Sequence, residues 1–343
     1  FASDILSTFY FITIYHLHMF KIFIADNLSD AAVDFLKEQK DCEVEVETGL
    51  SEDQIVAKIP EFDGMIVRSA TIVTPKIIEA GKKLKVIGRA GAGTDNIDKK
   101  VASEKNILVV NAPTGNLTSV AELVFAHILS AFRQLPEANS STKSGEWKKK
   151  ELGKVGREID GKTFGIIGLG NIGQLVAERA KGFNLKILAF DPVTSTEIAE
   201  SVGAELVSLE ELLKQSDVIT LHVPFIPQTK NMISEKEINN MKSDVYLINT
   251  ARGGIINEKD LANALKDQKI SGAAIDVFEK EPYSGELTQY DTCILTSHMG
   301  SMSIDCRTKM EIEATNEAVH FLLEGLQEGG VPEEEYAVQR EGL

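Results

Sequence analysis

From Phe20 onward, short runs rich in isoleucine and valine alternate with amphipathic stretches, and this alternation limits the fold more than any other feature. KIFIA, GMIVR, LKVIG and ILVVN have the length of buried strands and end in turn formers. The stretches between them carry helical spacing. SDAAVDFLKEQ opens near Ser29, and TPKIIEAGKK places Thr74 at an N-cap with Pro75 at the first helical position. Strands separated by helices pair in parallel, because parallel neighbours need a long crossover.

A helical stretch from about Ser119 to Ser141, interrupted near Pro136, and a basic patch (KSGEWKKKELGK) separate this series from a second one. The second series has the strands TFGIIG, KILAF, DVITLHV, VYLINT, AAIDV and CILTS, and a last helix follows from Ser303 to Gly325. The fold class expected is α/β: two doubly wound parallel-sheet (Rossmann-like) domains with a cleft between them, joined through the two long helices.

Composition narrows the partners. A net charge of −16 disfavours nucleic acid and anionic membranes, which need a positive footprint, but leaves room for an anionic small molecule bound by a few arginines. Cys42, Cys293 and Cys306 show no metal-ligand spacing, so no metal site is expected and the thiols are read as incidental. Residues 1–18 are apolar and aromatic, yet lack a basic leader and a cleavage pattern and are too short and polar for a membrane span. They are read as an extension outside the fold, and the expected location is cytoplasmic.

Gly168-Leu169-Gly170-Asn171-Ile172-Gly173 is a complete G-x-G-x-x-G between the strand TFGII and the helix NIGQLVAERAKG. Its glycines serve a tight turn, close approach to a pyrophosphate and helix–strand packing, and the helix N-terminus favours the phosphates. Asp191 ends the next strand near the ~20-residue offset expected of a ribose-binding acid. It would repel a 2′-phosphate, and Pro192-Val193 follows where an arginine would suit NADP, so the cofactor expected is NAD. This places an NAD-binding Rossmann domain at 118–297, a substrate (catalytic) domain at 19–117 plus 298–330, and an acidic tail at 331–343.

Arg252, Glu281 and His298 follow three strands of the second series, at the strand ends where open parallel sheets bind ligands. Oxidation of a 2-hydroxy acid needs a base, a carboxylate to orient and charge that base, and a cation for the substrate carboxylate; histidine, glutamate and arginine supply these. Taken singly, each residue also fits a structural role. Together, the runs NTARGGIINEKDLANALK, AAIDVFEKEP and SHMG resemble the D-2-hydroxyacid dehydrogenase family, and the resemblance extends from residue 20 to 325. It implies that Arg252 binds the substrate carboxylate, Glu281 orients the base and His298 exchanges the proton. It further implies that Asp276 holds the nicotinamide carboxamide and that Val223, Thr250 and Gly300 line the cofactor.

VRSATIVTPKIIEAGKKLKVIGRAGAGTDNID, NAPTGN and FRQLPEA look most like the branch acting on D-3-phosphoglycerate, which implies oxidation to 3-phosphohydroxypyruvate on the way to serine. There the GAG turn at 91–93 would place Ala92 at the nicotinamide and Gly93 at the substrate carboxylate. Arg68 and Ser69 would meet the substrate, with Arg133 reaching over from a partner in a homodimer; Arg89 suits a phosphate or a structural ion pair equally. Two departures stand out. The tail after Gly325 is shorter than a serine-sensing regulatory domain, and Met299-Gly300-Ser301-Met302-Ser303 is an unusual variant beside His298. Alternative readings are a glyoxylate, hydroxypyruvate or other 2-ketoacid reductase of the same family, and an NAD-sensing co-repressor-like binding protein.

Overall fold

The computed structural model describes residues 19–325 and residue 331; the extension expected at 1–18 and nearly all of the expected acidic tail lie outside the described residues. The chain forms two compact units. The first runs to Asn116 and resumes at Ser303; the second is Leu117–Met302.

The first unit carries β1 (Phe20–Ile24), β2 (Cys42–Val46), β3 (Gly64–Val67), β4 (Val86–Arg89) and β5 (Leu108–Val110) in the order β2-β1-β3-β4-β5. Every pairing is parallel. Between the strands run α1 (Asp30–Lys37), α2 (Glu52–Lys58), α3 (Pro75–Ala80) and α4 (Lys99–Glu104). Thr74 caps α3 through its hydroxyl with Pro75 first in the helix, as its sequence suggests. Phe23, Met65, Ile87 and Val109 pack into one apolar layer and Ile22, Ile24, Ile66 and Val86 into another. Burial on both faces is why these strands read as continuous apolar runs.

At Asn116–Leu117 the chain enters the second unit through α5 (Leu117–Phe132), α6 (Leu135–Lys143) and α7 (Lys149–Leu152). The break between α5 and α6 falls at Arg133 and Gln134, with Gln134 at φ +51°. Pro136 explains its place: continued helix would drive the proline ring into the Phe132 carbonyl.

The second sheet contains β6 (Thr163–Ile167), β7 (Lys186–Phe190), β8 (Ala204–Leu206), β9 (Val218–Leu221), β10 (Tyr246–Asn249), β11 (Gly272–Ile275) and β12 (Cys293–Leu295). Its order is β12-β11-β10-β9-β6-β7-β8, so the order reverses between β6 and β9. Helices α8 (Asn171–Lys181), α9 (Thr196–Ser201), α10 (Leu209–Gln215), α11 (Glu235–Ile238) and α12 (Glu258–Lys266) connect the strands. α5 packs on α8, β10 and β11 through buried residues including Val124, Phe125 and Ile128.

The boundaries differ from the sequence expectation. Residues 298–302 stay with the second unit, whereas the sequence reading gave them to the first, and Leu117 already begins the second. Asp276 holds that stretch in place: its carbonyl accepts the His298 amide, and its carboxylate accepts the amides of Met299 and Gly300. From Ser303, whose hydroxyl caps the helix, α13 (Ile304–Glu324) packs on β3, β4 and α1 of the first unit and ends at Gly325 with φ +67°. Among the described residues, no helix is long and apolar enough to cross a membrane.

Candidate active site

The loop from β6 into α8 lies at the strand-order reversal, the place where doubly wound sheets open a crevice. Gly168 has φ +94°, and a Cβ there would lie 2.6 Å from the His222 carbonyl and 2.8 Å from Val223 Cγ1. At Gly173 a Cβ would lie 2.1 Å from the Gly168 carbonyl, so α8 starts close against the loop only because this position has no side chain. Gly170 caps α8, and nothing lies within 4 Å of a Cβ built on it. The backbone there, followed by Asn171 and Ile172, is open to a phosphate.

Asp191 is fixed before any ligand arrives. Its carboxylate accepts the Leu169 amide at 2.7 Å, the Val193 amide at 2.8 Å and the Thr194 amide at 2.9 Å. Partial burial works to raise its pKa, but these amide donors outweigh that and hold it below the ordinary value, so it stays an anion. Among the described residues, the buried polar atoms without a hydrogen-bond partner include Thr250 Oγ1 after β10 and His222 Nδ1 after β9. Burial pushes the His222 pKa down to about 3, leaving a neutral ring that donates or accepts through Nε2 with the Thr220 hydroxyl at 3.0 Å. A glycine loop open at Gly170, a carboxylate anchored at Asp191 and an unpaired Thr250 hydroxyl fit NAD.

Arg252, Glu281 and His298 follow β10, β11 and β12, which are neighbours in the sheet. His298 Nδ1 lies 2.9 Å from Glu281 Oε2, while the other oxygen of Glu281 accepts the Phe278 amide at 3.1 Å. The imidazole is thereby directed through Nδ1, and Nε2 is the nitrogen left for a substrate. The Arg252 turn is set by Asn249, whose side chain donates to the Arg252 carbonyl at 2.9 Å and accepts the Ala251 amide at 3.0 Å. Asp276 is wholly buried; Thr296 Oγ1 at 2.6 Å, the Met299 amide at 2.8 Å and the Gly300 amide at 2.9 Å donate to it. Asp276 and Gly300, both expected at the cofactor, are thus also bound to each other.

The remaining candidates belong to the first unit, apart from Arg133, which is exposed beyond α5 in the second. Arg68 and Ser69 follow β3 beside the β1–β3 order reversal of their sheet. Asp26 accepts the Arg68 amide at 2.6 Å. Arg68 Nε pairs at 3.5 Å with Glu311, a fully buried residue of α13, and Arg307 Nη2 reaches the same oxygen at 3.6 Å. Burial, followed by the Arg307 charge, lowers the Arg68 pKa, with Glu311 and Asp26 opposing. Ala92 and Gly93 lie half-buried after β4, and the Ala92 carbonyl accepts the Asn111 side chain.

Sequence reasoning missed Arg307 and Glu311, although their i,i+4 spacing on a helix was a usable signal. It also missed Asn249, Thr296 and the buried His127, which carried no local signal. Among the described residues, no group of histidine, cysteine and carboxylate side chains could hold a metal.

The profile of the D-isomer specific 2-hydroxyacid dehydrogenase NAD binding domain matches residues 125–300. The D-3-phosphoglycerate dehydrogenase of Methanocaldococcus jannaschii is 48% identical over 82% of this chain and 54% of its own length. The hydroxypyruvate reductase of Thermotoga maritima is 42% identical over 86% of this chain and 95% of its own. The crystal structure of a glyoxylate reductase from Paecilomyes thermophila superimposes with a TM-score of 0.82 at 28% identity, covering 93% of this chain and 99% of that one. The chain thus spans about half the length of the phosphoglycerate dehydrogenase relatives it matches.

Proposed function

Because this chain belongs to the D-isomer specific 2-hydroxyacid dehydrogenase family, we propose that it oxidises D-3-phosphoglycerate to 3-phosphohydroxypyruvate with NAD, a step toward serine. The observation that carries the chemistry is the 2.9 Å contact from His298 Nδ1 to Glu281 at the ends of neighbouring strands. Arg252 binds the substrate carboxylate and polarises C2. His298 Nε2 takes the hydroxyl proton, and the Glu281 charge stabilises the imidazolium that results. Gly170, Asn171 and Ile172 hold the cofactor pyrophosphate, Asp191 its ribose, and Val223, Thr250, Asp276, Gly300 and Ala92 line the rest of its path. Bound there, the nicotinamide supplies the hydride acceptor.

The substrate assignment rests on the arginines. Arg68, with Ser69 next to it and Gly93 after β4 of the same unit, offers a guanidinium for the phosphate, and Arg307 adds a second on the same buried carboxylate. Arg133 is assigned to the partner's substrate in a homodimer, whose contact surface we place on the segment exposing Leu135, Trp147 and Val155. The enzyme works in the cytoplasm on this reading. Light scattering that finds only monomer removes the dimer.

Hydroxypyruvate reduction is the second reading, favoured by a relative matched over 95% of its length. NADH absorbance on mixing with NAD and D-3-phosphoglycerate, D-glycerate or D-lactate, and in reverse with glyoxylate or hydroxypyruvate, separates the two. Turnover restricted to the unphosphorylated acids keeps the mechanism and overturns the phosphoglycerate assignment. Absence of turnover on all of them overturns the enzyme and favours an NAD-sensing binding protein.

A further inference from the structure

His298 sits at φ +51°, a backbone conformation that residues other than glycine rarely adopt. Asp276 keeps it there. The Asp276 carbonyl accepts the His298 amide at 2.8 Å, and its buried carboxylate gathers Met299, Gly300 and Thr296. Behind Thr296 stands His127 of α5, itself 3% exposed, with Nε2 3.4 Å from Thr296 Oγ1.

Hydrogen bookkeeping gives this contact a direction. Thr296 has one hydroxyl hydrogen, and it goes to Asp276 at 2.6 Å. The bond to His127 therefore needs the hydrogen on Nε2 and Thr296 as acceptor. Burial lowers the His127 pKa, with the Asp276 charge opposing, which favours the neutral ring. A neutral Nε2–H donor occupies the Thr296 lone pair and leaves the hydroxyl one strong acceptor to point at, the Asp276 carboxylate. Without that donor the Thr296 oxygen keeps only its bond to Asp276 and loses its second anchor, and the clamp on the 298–300 turn loosens.

We propose that His127 is a positioning residue for the proton-exchanging histidine: through Thr296 it aims the Asp276 carboxylate, and through Asp276 it holds the turn that presents His298 to Glu281. None of the intermediate groups needs to touch the substrate. The inference rests on the dehydrogenase reading above, because it assigns His127 a part in that reaction.

The test compares His127→Leu, which fills the space without a donor, with His127→Gln, which keeps an N–H. Expected for Leu is a fall in kcat of about tenfold, the scale of a small misplacement of a reacting group, with KM for NAD and for the acid within about twofold. Gln restores most of the loss. Amide hydrogen exchange at Met299 and Gly300 is expected to quicken in the Leu variant and return toward wild type in the Gln variant. Wild-type kcat in the Leu variant, or equal losses in both variants alongside a common fall in Tm, overturns the inference. If wild type turns over no 2-hydroxy acid, the dehydrogenase reading has failed. The exchange arm then decides alone whether His127 holds the turn, and unchanged exchange overturns that too.

Discussion

Glu281 holds His298 by one oxygen, at 2.9 Å from Nδ1, and is itself held by the Phe278 amide on the other at 3.1 Å. The carboxylate cannot turn away without giving up a backbone donor. The imidazole therefore keeps one tautomer and one face for chemistry.

Replacing His298 with alanine should lower kcat by roughly 10²- to 10⁴-fold, the range for a positioned acid–base group. NADH binding, followed by its fluorescence, should survive because the dinucleotide loop is untouched. Glu281→Gln should lower kcat with little change in KM, since it removes a charge that matters once the ring is protonated. A rise in KM alone would contradict this division of labour.

Asp191→Asn should raise KM for NAD by about tenfold or more, because the carboxylate proposed to accept from the ribose hydroxyls is lost. The effect on pH has a definite sign. The folded-state pKa of Asp191 is depressed, so its contribution to stability is present above the unfolded value of about 3.9 and is lost as pH falls through the folded value. Urea unfolding of wild type and variant should differ near neutrality and converge in acid. Curves that diverge in acid would be the wrong result.

Arg307→Ala should raise KM for D-3-phosphoglycerate by about tenfold, a cost of about 1.4 kcal/mol in binding, while changing KM for glyoxylate little. Arg68→Ala should act in the same direction. Equal effects on both substrates would assign the two arginines to the stability of Glu311, not to phosphate recognition.

Gly173→Ala should destabilise the second unit by about 1–3 kcal/mol, the usual cost of overpacking, because the new methyl would meet the Gly168 carbonyl at 2.1 Å. NADH affinity should fall with it, since the loop must move. A Gly170→Ala protein should unfold normally and still lose NADH affinity, because its methyl points into open space. Calorimetry with and without NADH separates the two effects.

Strands buried on both faces, such as β1, β6 and β10, were legible because each carries a buried, uncharged apolar run, Ile22 to Ile24, Phe164 to Ile167 and Tyr246 to Ile248. β2 and β8 were not. Both lie at sheet edges, where CEVEV mixes glutamates with apolar residues and AEL is only three residues long. The glycine loop was legible because its backbone demands rule out side chains locally. The candidates Arg252, Glu281 and His298 were readable as a set of residue types in order, and the cap at Thr74 from nearest neighbours alone.

Tertiary structure decided what depends on distant partners. Glu311 meets the Ser29 amide across 282 positions of sequence, and packing of α13 on the first sheet alone brings its carboxylate to Arg68. His127 looks like any polar interruption of an apolar helix until β12 places Thr296 beside it. The boundary after Met302, rather than before His298, follows from three hydrogen bonds to Asp276. Sequence determined which segments must be buried, because burial is a property of each residue's surface. Only the folded chain determined which buried polar groups satisfy one another, because hydrogen bonds are short and directional and depend on where packing leaves each atom.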